Sequence, residues 1–171
     1  MSIDALKKVL DNKTDLTVQI AQYTNIEQEQ EHYASWESRK QFWFENQGKT
    51  VPDSLDEESR IAIETLTVKD SLFGTWLDTK LGPQDVYIPV QQKIIQHIGA
   101  EKTRVAVQDL EKKRVAVLQD YAKQTGLDST RYTIYTEAPE KIPASEALPK
   151  FHISFGVNDA GGADNVPREP Q

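Results

Sequence analysis

The chain has 171 residues, of which 37% are hydrophobic and 27% are charged, and its mean hydropathy is −0.62. Its net charge of −7 argues against a general nucleic-acid-binding protein, because such proteins need an excess of Lys and Arg to neutralise phosphates. The lack of Cys excludes disulfides and thiolate metal sites, and no apolar run reaches transmembrane length. The first residues lack the pattern of a signal peptide. We therefore expect a soluble, cytoplasmic protein.

The first half of the chain predicts two helices of very different length. Ser2 can cap a short helix that ends near Asn12. A much longer helical pattern follows from about Asp15 to Gln47, because apolar residues recur at spacings of three and four. Its stripe consists of Leu16, Ile20, Tyr23, Ile26, Tyr33, Trp36, Trp43 and Phe44.

A third helix is predicted after the turn at residues 48–52. Ser54 and Glu57 have the spacing of a capping box, with Ser at the N-cap and Glu three residues later. We expect a break in this helix near Asp70, because Gly74 lowers the helix propensity locally, and Asp70 would then cap the continuing helix. Gly82 and Pro83 end this helix.

The stretch from Pro89 to about Gly126 predicts one helix of about 36 residues, roughly 54 Å long. A competing interpretation makes residues 104–117 a β-hairpin, because the pattern Arg-Val-Ala-Val occurs twice, ten residues apart. We favour the helix, since oppositely charged residues such as Asp109 and Lys113 stand at helical pair spacing.

The composition changes after Gly126 and predicts β-structure. Residues 131–136 and 151–155 alternate in polarity and are β-branched or aromatic, whereas the loop between them contains three prolines. The predicted fold is mainly α, of the α+β class: long antiparallel helices bridged by the third helix form an elongated bundle (1–126). A C-terminal β-hairpin (127–157) and a flexible, extended tail (158–171) follow.

No pattern in the sequence indicates catalysis or a cofactor. His32, His97 and His152 are not at metal-ligand spacing from one another, and there is no phosphate-binding glycine loop. The acidic residues at 53 and 56–58 are explained by the favourable interaction of negative charge with a helix N-terminus. We predict a non-enzymatic protein without metal or cofactor; a catalytic site assembled from distant residues is the open alternative.

An aromatic cluster near residue 43 is the feature that predicts partner binding. Phe42, Trp43 and Phe44 are consecutive and point about 100° apart on a helix, so one helix–helix contact cannot bury all three, and Trp36 lies one to two turns before them. Either a ring is left to bind another molecule, or the helix is buried on two sides. The sequence supports both alternatives equally.

The predicted hairpin is a second candidate for partner binding. Phe151, Ile153 and Phe155 share one strand face. Because a lone hairpin is only marginally stable in water, it needs a further strand, a helix or a neighbouring subunit. Residues 86–88 are a possible third strand; otherwise the edge is open to a partner.

These features together predict a structural or assembly subunit that binds protein partners, as a homo-oligomer or beside neighbouring subunits, without direct contact to nucleic acid or membrane. In general plan the predicted architecture is similar to head–tail adaptor and connector proteins of bacteriophage virions. The alternative is an acidic, monomeric inhibitor or immunity-type protein that blocks a basic partner. Oligomeric mass distinguishes the two.

Overall fold

The computed structural model describes residues 2–83, 86–138 and 150–157, which form six helices and one three-stranded sheet. The mainly helical α+β class predicted from the sequence is confirmed. In chain order the elements are α1 (Ile3–Asn12), β1 (Leu16–Tyr23), α2 (Ile26–Asn46), α3 (Glu57–Thr65), α4 (Ser71–Leu81), α5 (Val90–Ile98), α6 (Ala100–Gln124), β2 (Tyr132–Thr136) and β3 (Lys150–Val157).

The described residues divide into two compact units. The sheet unit contains residues 2–23, 111–138 and 150–157, and the helical unit contains residues 24–83 and 86–110. The division between the units falls inside α6. The sheet unit therefore draws on both the beginning and the end of the chain.

In the sheet unit, β1 is the central strand and the order is β2-β1-β3. β1 runs parallel to β2, with Ile20 opposite Ile134, and antiparallel to β3, with Ile20 opposite Ile153. Val18 and Ile20 of β1 are buried on the core face, where they pack with Ile134. The core also contains Leu6 and Leu10 of α1, Ala122 of α6 and Leu127.

The predicted helix from Asp15 to Gln47 is wrong in its first third, since Leu16–Tyr23 is the central strand and the helix begins at Ile26. Asn25 caps this helix by accepting a hydrogen bond from the Gln28 N–H at 3.2 Å. The β-branched residues Val18 and Ile20 suit a strand that is paired along both edges. A spacing of four between Leu16 and Ile20 fits a strand as well as a helix. Residues four apart lie on the same face of a strand, whose side chains repeat every two residues, and also on the same face of a helix, which repeats every 3.6 residues.

The predicted C-terminal hairpin is also wrong, although both of its strands exist. β2 and β3 are not neighbours, because β1 lies between them and forms hydrogen bonds with both. Residues 86–88 are not a strand. The connecting residues 139–149 and the predicted tail 158–171 lie outside the described residues.

In the helical unit, α2, α4 and α5 pack around one apolar core. Each helix contributes residues at a spacing of four or eight, as expected for a buried stripe. The buried core residues are Ala34, Phe42, Phe73, Leu77, Ile94 and Ile98.

The predicted 36-residue helix is broken at Gly99, which separates α5 from α6. Gly99 has φ of 98°, a backbone conformation that is unfavourable for residues with a Cβ atom. Its N–H still donates to the Ile95 carbonyl at 2.8 Å, which closes the last turn of α5, and its positive φ then turns the chain out of the helix. The helical interpretation of residues 104–117 is confirmed, because α6 runs through them without interruption, and the hairpin alternative is wrong.

The predicted break in the third helix is confirmed, whereas its predicted capping box is wrong. Asp70 caps α4 by accepting a hydrogen bond from the Leu72 N–H at 2.7 Å. The cap of α3 is Asp56 instead of Ser54, because its carboxylate accepts from the Ser59 N–H at 2.6 Å. The hydrogen bond from the Ser59 N–H, and next a hydrogen bond from the Ser59 hydroxyl, lower the pKa of the Asp56 carboxyl below its ordinary value.

Candidate functional site

β3 forms one edge of the sheet and carries exposed apolar side chains. Phe151 is 39% exposed, Phe155 is 49% exposed and Val157 is 61% exposed. Ile153, between the two Phe residues, packs partly against the core of the sheet unit. The sequence predicts Phe151, Ile153 and Phe155 to be partner-binding residues. The structure places all three together on the core-side face of an edge strand.

The hydrogen-bond pattern shows which backbone groups of β3 point outward. The Val18 N–H donates to the Arg131 carbonyl and the Glu137 N–H donates to the Gln22 carbonyl, so the backbone N–H and C=O groups of even-numbered residues in β1 point towards β2. The backbone groups of the odd-numbered residues of β1 therefore point towards β3, since these groups alternate in direction along a strand. Their partners in β3 are even-numbered. Consequently Phe151, Ile153, Phe155 and Val157 direct their N–H and C=O groups to the outer edge.

The two edges of the sheet differ in how they are covered. On the β2 edge, the side chain of Gln119 in α6 donates a hydrogen bond to the Ile134 carbonyl at 3.2 Å. On the β3 edge, no strand of the described residues pairs with the outward groups. Exposed edges of this kind pair readily with another strand. The β3 edge, meaning the outer side of residues 150–157, is the candidate interaction site.

Arg131 positions the central strand, a role that the sequence alone does not predict. Its guanidinium donates to the carbonyls of Leu10 and Leu16, each at 2.8 Å, and to that of Lys13. The planar fork of Arg thereby ties the end of α1 and the start of β1 to the start of β2. No local pattern in the sequence signals this role, because the accepting carbonyls lie more than 100 residues away along the chain.

The aromatic cluster of α2 is split between core and surface. Phe42 is 7% exposed and Phe44 is 5% exposed, and Phe42 contacts the rings of Phe73 and Trp76 at centroid distances of 5.5 and 5.6 Å. Trp43 is partly buried and meets Phe44 edge-on at 4.7 Å. Two of the three rings are therefore buried, and Phe42 belongs to the core of the helical unit. Trp36 is likewise partly buried, and partner binding by Trp36 and Trp43 stays a prediction.

A polar cluster surrounds Trp76 in the helical unit. The indole Nε1 donates to the Glu45 carboxylate at 2.9 Å, and Lys80 forms an ion pair with the same carboxylate at 2.8 Å. These hydrogen bonds, that from Lys80 first, lower the pKa of Glu45. The His97 ring meets the indole edge-on at 5.0 Å, and its Nε2 lies 2.9 Å from the Gln41 side-chain oxygen. The cluster joins α2, α4 and α5.

We expect the stability of the protein to decrease as the pH falls below about 6.5, with His97 as one cause. Burial, and next the positive charge of Lys80, lower the pKa of His97, although Glu45 acts in the opposite direction. The unfolded chain therefore binds more protons than the folded protein in this range, so stability rises with pH. His97→Gln should show a smaller decrease in Tm between about pH 7.5 and about pH 5.5 than the wild type. An equal decrease in both proteins would assign the effect to other groups.

An open depression of about 790 Å³ lies beside α4 and α5 in the helical unit. Among the described residues that line it, the charged ones are Asp78 and Lys93, which pair with each other at 2.5 Å. Because each charge has a partner in the chain, the depression offers no evident site for a charged ligand. Its lining residues are Thr75, Asp78, Thr79, Gly82, Pro83, Val86, Tyr87, Ile88 and Lys93.

The described residues contain no group of three or more His, Cys, Asp or Glu placed to hold a metal ion. In the same part of the chain, none of the helices combines the length and the apolar character needed to cross a membrane. Comparison of the chain with protein-family models, with curated proteins and with solved structures gave no match. The functional proposal is therefore based on the chain's own surfaces.

Proposed function

We propose that this protein is a non-enzymatic assembly subunit that joins a larger protein complex through the β3 edge. The observation that carries the proposal is the position of three exposed apolar residues on a strand whose backbone groups face outward. These residues are Phe151, Phe155 and Val157.

An interface at this edge would both pair exposed backbone groups and bury exposed apolar side chains. A partner strand would pair the outward N–H and C=O groups of β3, and its side chains would cover the exposed rings. Natural proteins commonly protect free edges with charges, prolines or bulges. Within β3 the one such residue is Lys150 at the start of the strand, and the segment 151–157 contains neither proline nor a fixed charge that would oppose pairing.

Several narrower parts of the proposal come from the sequence alone. They are a homo-oligomer or neighbouring subunits as partners, the elongated arrangement of the helices, and membership of a bacteriophage virion. The likeness to head–tail adaptors was based on two long antiparallel helices, a hairpin and an extended tail. The first long helix begins only at Ile26, the second is broken at Gly99, and the two strands of the predicted hairpin are not neighbours. The virion therefore has less support than the assembly role.

The oligomeric mass of the full chain tests the proposal. We expect sedimentation velocity and native mass spectrometry to detect species that are multiples of the 19.4 kDa chain and that increase with protein concentration. A strict monomer at every concentration would contradict the proposal and would favour the acidic, monomeric inhibitor.

A further inference from the structure

The apolar residues of β3 have a spacing that is symmetric about Ile153. Read in either direction from Ile153, the next residue on the same face is a Phe, Phe151 on one side and Phe155 on the other. Between them stand His152 and Ser154 on the opposite face. A strand with this spacing presents the same apolar pattern to an antiparallel copy of itself.

We propose that the partner at the β3 edge is β3 of a second copy of this chain, antiparallel and related by a twofold axis at Ile153. This inference rests on the proposed assembly function and names its first contact. In this register Phe151 lies opposite Phe155 of the second copy, and Ile153 lies opposite its own symmetry mate. The two sheets then join into one sheet of six strands.

The direction of the backbone groups fits this register. Phe151, Ile153 and Phe155 are the residues whose N–H and C=O groups point outward, as derived above from the hydrogen bonds of β1. In an antiparallel pair, residues that point at each other exchange two hydrogen bonds. The three facing pairs would therefore form six backbone hydrogen bonds. If the register shifted by one residue, the outward N–H and C=O groups of one β3 would lie opposite residues of the second β3 whose N–H and C=O groups point towards their own β1.

The side-chain faces fit as well. Directly opposite residues in an antiparallel pair lie on the same face of the sheet. Phe151 and Phe155 would continue the apolar face that α1 and α6 cover in each copy. Their rings, now 39% and 49% exposed, would pack against each other across the twofold axis. His152 would lie opposite Ser154 of the second copy on the polar face.

Repulsion between like charges disfavours a parallel arrangement. The one Lys, Arg, Asp or Glu within β3 is Lys150. In the proposed register Lys150 lies opposite Gly156 of the second copy, and the two Lys150 residues are about 20 Å apart at opposite ends of the pair. A parallel pairing would place these two like charges side by side, which is destabilising.

The pair buries little area, because only one strand from each copy takes part. Interfaces of this size are at the low end of specific association. We therefore expect a concentration-dependent equilibrium between monomer and dimer rather than a permanent dimer.

Charged substitutions at positions 151 and 155 test both the site and the facing of these two positions across the pair. The variant Phe151→Lys/Phe155→Lys places Lys opposite Lys in the twofold pair, and Phe151→Glu/Phe155→Glu places Glu opposite Glu. Each variant alone should sediment as a monomer where the wild type is dimeric. A one-to-one mixture should recover a dimer that contains one copy of each variant, detected by native mass spectrometry.

The Leu72→Lys variant is the matched control, because Leu72 is a 66% exposed apolar residue of α4. It should dimerise like the wild type. The milder variant Phe151→Thr/Phe155→Thr preserves strand propensity, and it should raise the dimer dissociation constant at least about tenfold if the lysine or glutamate variants do not fold.

The possible outcomes separate this inference from the assembly function. Multimers that persist unchanged in the double-lysine variant would overturn the β3 pair and the β3 edge as the site of assembly, and would leave only an assembly role at another surface. Two monomeric variants whose mixture stays monomeric would overturn the register. A wild type that is monomeric at every concentration would overturn both proposals.

Discussion

Replacing Phe42 with Ala should lower the free energy of unfolding by roughly 3–5 kcal/mol, the usual cost of truncating a buried Phe. Phe42 is almost fully buried in the helical unit, where its ring meets Phe73 edge-on and also contacts Trp76. The truncation removes contacts from α2 and α4 together, and the cavity would be surrounded by large rings that cannot easily collapse into it. Chemical denaturation of the variant measures this loss.

The neighbouring residue provides the control for this experiment. Trp43 is only partly buried, so Trp43→Ala should cost less stability than Phe42→Ala even though Trp is the larger side chain. If Trp43 binds a partner, its truncation should weaken association instead. Equal loss of stability in both variants, with unchanged oligomeric mass, would show that the aromatic cluster serves the core alone.

Replacing Arg131 with Met should lower the free energy of unfolding by roughly 2–4 kcal/mol, because charge-assisted hydrogen bonds to three carbonyls are lost. Met preserves much of the side-chain length and apolar packing. The loss therefore reports mainly on the carbonyls of Leu10, Lys13 and Leu16, which no longer have the guanidinium as donor. Thermal or chemical unfolding of the variant measures it.

Two substitutions separate geometry from charge at this position. Arg131→Lys restores the positive charge but not the planar fork, so it should recover only part of the stability. Arg104→Met removes a guanidinium whose partner is the exposed carboxylate of Glu101 on the same helix, and it should change stability little. Similar losses for Arg131→Met and Arg104→Met would contradict the proposed role of Arg131.

Interactions between residues close in sequence could be predicted well. Ser2 caps α1 by accepting from the Ala5 N–H at 3.2 Å, and Asp70 caps α4. The helix over residues 104–117 could be preferred to a hairpin because charge spacing is itself a local property. Where two local signals competed, the choice was less secure: Asp56, two residues after Ser54, is the actual cap of α3. These features depend on hydrogen bonds within one or two turns.

The candidate site could be predicted only in part. The alternation of Phe151, Ile153 and Phe155 indicated a strand face with apolar residues, and the structure has that strand. Its neighbour could not be predicted, since the pairing with Leu16–Tyr23 joins residues more than 120 positions apart. Arg131 could not be found for the same reason.

The sequence by itself determined most helices, the existence of β2 and β3, and the lack of a recognisable catalytic motif. The tertiary structure decided that Leu16–Tyr23 is a strand, because its apolar spacing allowed a helix until β2 and β3 supplied hydrogen-bond partners on both edges. It also decided that Phe42 and Phe44 are core residues, whereas Phe151 and Phe155 lie at an open edge. Burial and strand order depend on contacts between distant segments, and no local pattern of residues specifies them.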